Sequence, residues 1–145
     1  MKSPPLIAIA EGRCAKPRKA PAPAPTQSEL RLHIDVADVL RQFCRPDWRW
    51  WHTPNGEIRD PRTAAKLKAM GVKPGIADLI LVSPSGALHC LELKVRGGKL
   101  SDEQEEFQFF CIRAGIPFVV AYRLDDALTA FSEWKCLTHR IGGAR

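Results

Sequence analysis

The chain has 145 residues, 45% apolar and 26% charged, the size and balance of one globular unit with a single buried core and one active centre. No apolar run approaches the roughly 20 residues that cross a bilayer, so an integral membrane protein is not expected. The five cysteines, at 14, 44, 90, 111 and 136, are odd in number, scattered and without a CxxC, CxH or HxC spacing, which argues against a disulfide scaffold or zinc finger and for reduced thiols in a cytoplasmic setting.

The net charge of +6 is unevenly spread: residues 1–25 hold Lys2, Arg13, Lys16, Arg18 and Lys19 against Glu11, a net +4, together with six of the twelve prolines. Such a composition cannot bury enough surface to fold. Residues 1–25 are therefore expected to form a disordered basic Pro/Ala-rich tail, suited to a polyanionic partner such as nucleic acid; a solubilising extension would look the same. Leu6 to Ala10 after Lys2 imitates a secretory signal only faintly, being too short for its apolar region. The folded domain is expected over 26–136, with 137–145 a flexible C-terminal tail.

In chain order, Thr26-Gln27-Ser28-Glu29 reads as a capping box opening a helix over about 27–44, which ends before Pro46. Its stripe Glu29, His33, Val36, Leu40 and Phe43 faces the core. Trp48 to His52 reads as a short strand and Pro54-Asn55-Gly56 as a turn. Asp60 as N-cap, Pro61 at the first position and Gly71 past the end frame a second helix with Ala64, Leu67 and Met70 inward.

Ile76 to Val82 and Leu88 to Val95 are β-rich runs joined by Ser83-Pro84-Ser85-Gly86. Pro84 and Gly86 suit a three-residue hairpin loop with a G1 bulge. That loop predicts the register Ser83 to Ala87, Val82 to Leu88, Ile80 to Cys90 and Asp78 to Glu92. Ser101 to Gln104 is a second capping box, starting a helix with Phe107, Phe110, Cys111 and Ala114 inward and Gly115 as its stop. Pro117 to Arg123 is a strand expected to lie parallel to its predecessor after a right-handed crossover. Asp125 is expected to cap a last helix carrying Leu128, Phe131 and Trp134. The result is an α/β fold with a mixed sheet between helices.

Glu92 and Lys94, two apart on one strand, share a face, and the predicted register adds Asp78 to it. Two carboxylates about 5 Å apart repel by about 3 kcal/mol at an effective dielectric of 20, a large cost for a fold of ordinary stability. A divalent cation reverses the sign of that term, and Mg²⁺ is commonly held by one or two carboxylates with water and substrate phosphate. The plainer alternative is an exposed Asp78 and a Glu92 that merely pairs with Lys94.

Gly75-Ile76-Ala77-Asp78 followed by Glu92-Leu93-Lys94 resembles the Asp and Glu-x-Lys signature of the PD-(D/E)XK nuclease superfamily. With Glu29, Pro54-Asn55-Gly56, Leu67 to Val72 and Ser101 to Gln104 in order, roughly residues 28–128 are similar to its VRR-NUC (virus-type replication-repair nuclease) domain. Ala77 departs from the proline that often precedes the aspartate, and His33 stands where a polar amide is common.

The resemblance implies a restriction-endonuclease-like three-layer fold. It further implies that Asp78, Glu92, the Leu93 carbonyl and Glu29 hold Mg²⁺ or Mn²⁺, that Lys94 orients the attacking water or stabilises developing charge, and that Gln104 supports Lys94 or the scissile phosphate. Glu29 and Gln104 each also have a local capping role. Lys73, Arg96, Lys99 and the turn residue Asn55 are candidate DNA contacts, with His52 beside the groove; Lys66 and Lys68 fit a solvated helix face equally well. Trp48, Trp50 and Trp51 are read as core or dimer contacts before base-stacking groups. The implied function is a metal-dependent DNA endonuclease, selective for branched or junction DNA and homodimeric. A non-cleaving junction-binding protein of the same fold and an RNA-directed ribonuclease are the alternatives.

Overall fold

The computed structural model of the protein describes residues 27–54 and 60–139. The expectations for residues 1–26, for the Asn55-Gly56 turn and for the chain after residue 139 lie outside the described residues. The elements run α1 (Gln27–Phe43), β1 (Arg49–His52), α2 (Pro61–Ala69), β2 (Leu79–Val82), β3 (Leu88–Leu93), α3 (Asp102–Arg113), β4 (Phe118–Ala121) and α4 (Leu124–Trp134). One four-stranded sheet has the order β1-β2-β3-β4, with the first two pairs antiparallel and β3-β4 parallel.

The β2-β3 hairpin carries the predicted register: Val82 faces Leu88, Ile80 faces Cys90 and Leu79 faces Leu91. Its loop closes as the residues demand. Ser83 N–H donates to the Ala87 carbonyl at 2.9 Å, Gly86 N–H to the Ser83 carbonyl at 2.9 Å, and Gly86 sits at φ +84°, a left-handed conformation that glycine adopts without strain.

Alternation along the strands divides the core. On one face Leu79, Leu81, Leu91 and Leu93 pack with Val36 and Leu40 of α1 and with Ala127, Ala130 and Phe131 of α4. On the other, Ile80 and Cys90 meet Ala77 and Cys111 of α3, with Phe107 and Phe118 against them. Helices thus cover both faces of a mixed sheet, an α/β restriction-endonuclease-like arrangement in which the leucines anchor β2 and β3 and leave Glu92 toward the α3 side. Trp48 is core, Trp50 packs against it and Trp51 is exposed.

Four details differ from the sequence reading. No residue of α2 is buried: Ala64 and Met70 are exposed and Leu67 is only half-buried, because one apolar residue per turn is too narrow a stripe to seat a nine-residue helix. In α3 only Cys111 is buried, while Phe110 is 59% exposed and Ala114 is also outside. The helix is rotated so that Gln104 and Cys111 meet Glu92 and Cys90 of β3. Asp126, not Asp125, closes the start of α4: its Oδ2 accepts from Tyr122 N–H and Arg123 N–H at 3.0 Å each, since an acid at the third helical position reaches back to the first free donors. Finally, the folded unit runs past residue 136, with Leu137 bridged to Cys44 and Thr138 N–H bonded to the Phe43 carbonyl at 2.8 Å.

Candidate active site

Asp78 stands immediately before β2. Continued one step, the hairpin ladder would pair Leu93 N–H with the Ala77 carbonyl. Instead Leu93 N–H donates to Asp78 Oδ2 at 2.8 Å, and the Ala77 carbonyl accepts the Thr53 hydroxyl. The aspartate side chain thus replaces a backbone partner and is tied to the strand that carries Glu92. The Asp78 carbonyl is held by Thr53 N–H at 2.9 Å and lies 2.9 Å from His52 Nδ1.

Gly75 sets the approach to Asp78. It lies at φ +88°, and a Cβ there would sit 2.4 Å from the Glu103 carbonyl oxygen. Only glycine fits both the dihedral and the contact. The first turn of α3 therefore lies directly against the segment leading to Asp78.

Glu92 is 1% exposed. Its Oε1 accepts Lys94 Nζ at 3.1 Å and the Gln104 amide, while Oε2 is buried with no hydrogen-bond partner. Burial and then the Asp78 charge push its carboxyl up from 4.5 to about 7, against the opposing pull of Lys94. Gln104 serves two functions at once. Its Oε1 accepts Ser101 N–H at 2.9 Å in the capping box, leaving its amide to reach Glu92, so the local and the site roles coexist.

The structure brings Asp78, Glu92, Lys94 and Gln104 together as the sequence predicts. The plain Glu92-Lys94 ion pair is also present, but Asp78 is buried beside it and not exposed. The Leu93 carbonyl points to the same side as its N–H, toward Asp78. Glu29 is half-buried, one turn before His33 on the same face of α1. Lys73, Arg96 and Lys99 are exposed, and Arg96 and Lys99 line a cleft with Tyr122 and Arg123. Asn55 lies outside the described residues.

Three residues, His33, His52 and Thr53, make contacts around Asp78 that the sequence does not assign. His33 Nε2 lies 3.6 Å from Asp78 Oδ2, and its ring meets that of His52 edge-on at 4.7 Å. In the sequence His33 stands out as a polar residue on the core-facing stripe with its role open, and His52 as the end of the aromatic strand beside the expected groove. Thr53, which holds both the Ala77 and Asp78 carbonyls, carried no signal.

No three His, Cys, Asp or Glu side chains among the described residues gather into a complete metal cage. The donor set still fits a hard cation that keeps water and phosphate in its shell: two adjacent carboxylates, one with a buried oxygen lacking any partner. Comparison with known families gives one match, of residues 56–123 to the VRR-NUC domain. That segment holds Asp78, Glu92, Lys94 and Gln104 and leaves α1, with Glu29 and His33, outside it. No curated protein and no solved structure matches the chain.

Proposed function

We propose, from the match of residues 56–123 to the VRR-NUC domain, which implies a nuclease-type function and DNA binding, a Mg²⁺- or Mn²⁺-dependent endonuclease that hydrolyses DNA phosphodiesters, selectively at branched or junction structures. The observation that carries this reading is Glu92 Oε2: a buried carboxylate oxygen without a partner, beside a second carboxylate. Asp78, Glu92 and the Leu93 carbonyl would hold the ion, with Glu29 completing the set directly or through water. When bound, the ion would lower the pKa of water and offset charge on the phosphate.

The chain's own groups supply the rest. Lys94, 16% exposed and paired to Glu92 Oε1, is a compact charge with three donors. It would orient the attacking water and meet charge developing on the phosphoryl oxygens. Gln104 fixes Glu92 Oε1, so that Oε2 is the free oxygen. The His52 and Thr53 contacts hold the Asp78 backbone, and His33 lies against its Oδ2. Such a fixed arrangement favours catalysis because little reorganisation is left for the reaction. A homodimer is part of the same reading, supported by Phe109, Phe110 and Ile112, all exposed along α3.

The reading is tested on linear, nicked, flap and four-way DNA with Mg²⁺ or Mn²⁺. Cleavage is expected on the branched forms, falling by at least about a hundredfold in Lys94→Ala and in Asp78→Asn, with DNA binding retained. Binding without cleavage under any metal would instead establish a non-cutting junction protein, and stronger cleavage of matched RNA would move the substrate class.

A further inference from the structure

β3 and β4 run parallel with Leu93 opposite Ala121, and Lys94 N–H extends the ladder to the Ala121 carbonyl at 3.0 Å. One residue further, the same register sets Tyr122 beside Lys94, and alternation turns both to the face that carries Glu92. Tyr122, the residue that follows the edge strand β4, is 40% exposed. Next to it opens a cleft of about 700 Å³ lined by the 96–99 loop, Tyr122, Arg123 and Asp126.

The charge balance of this cleft points to an anion. Arg96, Lys99 and Arg123 stand against Asp126 alone, and that acid is already engaged: Oδ2 by the Tyr122 and Arg123 N–H groups, Oδ1 by Arg123 Nη2 at 3.4 Å. Among the described residues neither Arg96 nor Lys99 has an ion-pair partner. A row of cations alone would suit any phosphate backbone. An exposed aromatic ring set among them adds a requirement, because a base inside a duplex is covered on both faces by its neighbours and only an unpaired base can stack on a side chain.

We propose that this cleft holds an unpaired nucleotide next to the scissile bond, its base stacked on Tyr122 and its flanking phosphates on Arg96, Lys99 and Arg123. The preferred substrate is then a duplex with a single-stranded arm at the cut site. The inference deepens the nuclease reading and rests on it for the position of the scissile bond.

The test titrates the Asp78→Asn protein with a fluorescent blunt duplex and with the same duplex bearing a short unpaired arm. The arm is expected to tighten binding about tenfold. Tyr122→Ala should bring the ratio of the two affinities close to one, and Tyr122→Phe should restore it. Arg123→Gln should weaken binding to both substrates and lower the salt slope by about one. An arm preference that survives Tyr122→Ala, or no arm preference in the parent protein, overturns the proposal. Cleavage by the unsubstituted chain is scored separately: arm binding through Tyr122 without any cutting supports the cleft and refutes the nuclease reading.

Discussion

Glu92 is where the site's unfavourable energy is concentrated. A carboxyl raised from 4.5 to about 7 keeps a proton in the folded state that the unfolded chain has already released between those values. Its contribution to stability is therefore full below about pH 4.5 and is lost as the pH rises through about 7. The causes rank burial first and the Asp78 charge second, and together they outweigh Lys94, so the surroundings favour a neutral group. Glu92→Gln is accordingly expected to melt higher than the parent at pH 8 in chelator, with the two converging near pH 5. Saturating Mn²⁺ should reverse the order, raising the parent and not the variant, because only a ligand bound to the folded state stabilises it. A parent protein that melts higher at pH 8 without metal would contradict this account. At this scale Asp78, Glu92 and Lys94 were legible because strand alternation and a turn type fix which side chains share a face. The orphaned Oε2 and the Asp78 bond to Leu93 N–H were not, since both depend on where β2 begins. The same holds for His33 and His52, whose edge-on contact arises only when α1 is laid against β1.

Between elements, the approach of α3 to the Gly75-Asp78 segment matters most. Gly75→Ala introduces a left-handed φ for a residue with a side chain and a Cβ 2.4 Å from the Glu103 carbonyl oxygen. Either α3 must retreat or the segment must shift, and both separate Gln104 from Glu92. A loss of about 2 kcal/mol or more in denaturant unfolding is expected, with a further fall in cleavage once the protein is held folded at low temperature. Gly71→Ala, whose Cβ would meet nothing within 4 Å, carries the dihedral penalty at a helix end alone and serves as the comparison. Equal effects of the two substitutions would remove the packing argument. The hairpin was readable in advance because Pro84 and Gly86 admit few loop geometries, and a one-residue slip would have inverted every leucine. The faces of α2 and α3 were misread for the opposite reason. Their apolar residues do not form a stripe broad enough to decide orientation, so polar and thiol contacts to β3 turn α3 and leave Phe109, Phe110 and Ile112 outside.

Across the whole molecule the charge is divided from the chemistry. Residues 1–25 carry a net +4 of the total +6, while the folded unit combines a small excess of cations with two acids buried at its centre. The α/β class and element order were legible from the alternation of strand and helix signals, but the cleft beside β4 was not, because it needs the parallel register between β3 and β4. These two sources of affinity predict different behaviour on deleting residues 1–25. Counterion release makes the salt slope count the phosphates neutralised, so the truncated chain should bind every DNA form more weakly, with a slope shallower by up to about four. The ratio of arm-bearing to blunt duplex affinity, set by a base on Tyr122, should not change, because cations that meet only phosphates gain the same from any phosphate backbone. Equal slopes before and after truncation would show that the segment contributes no contacts. A changed ratio would place part of the structure selectivity in it and not in the folded unit.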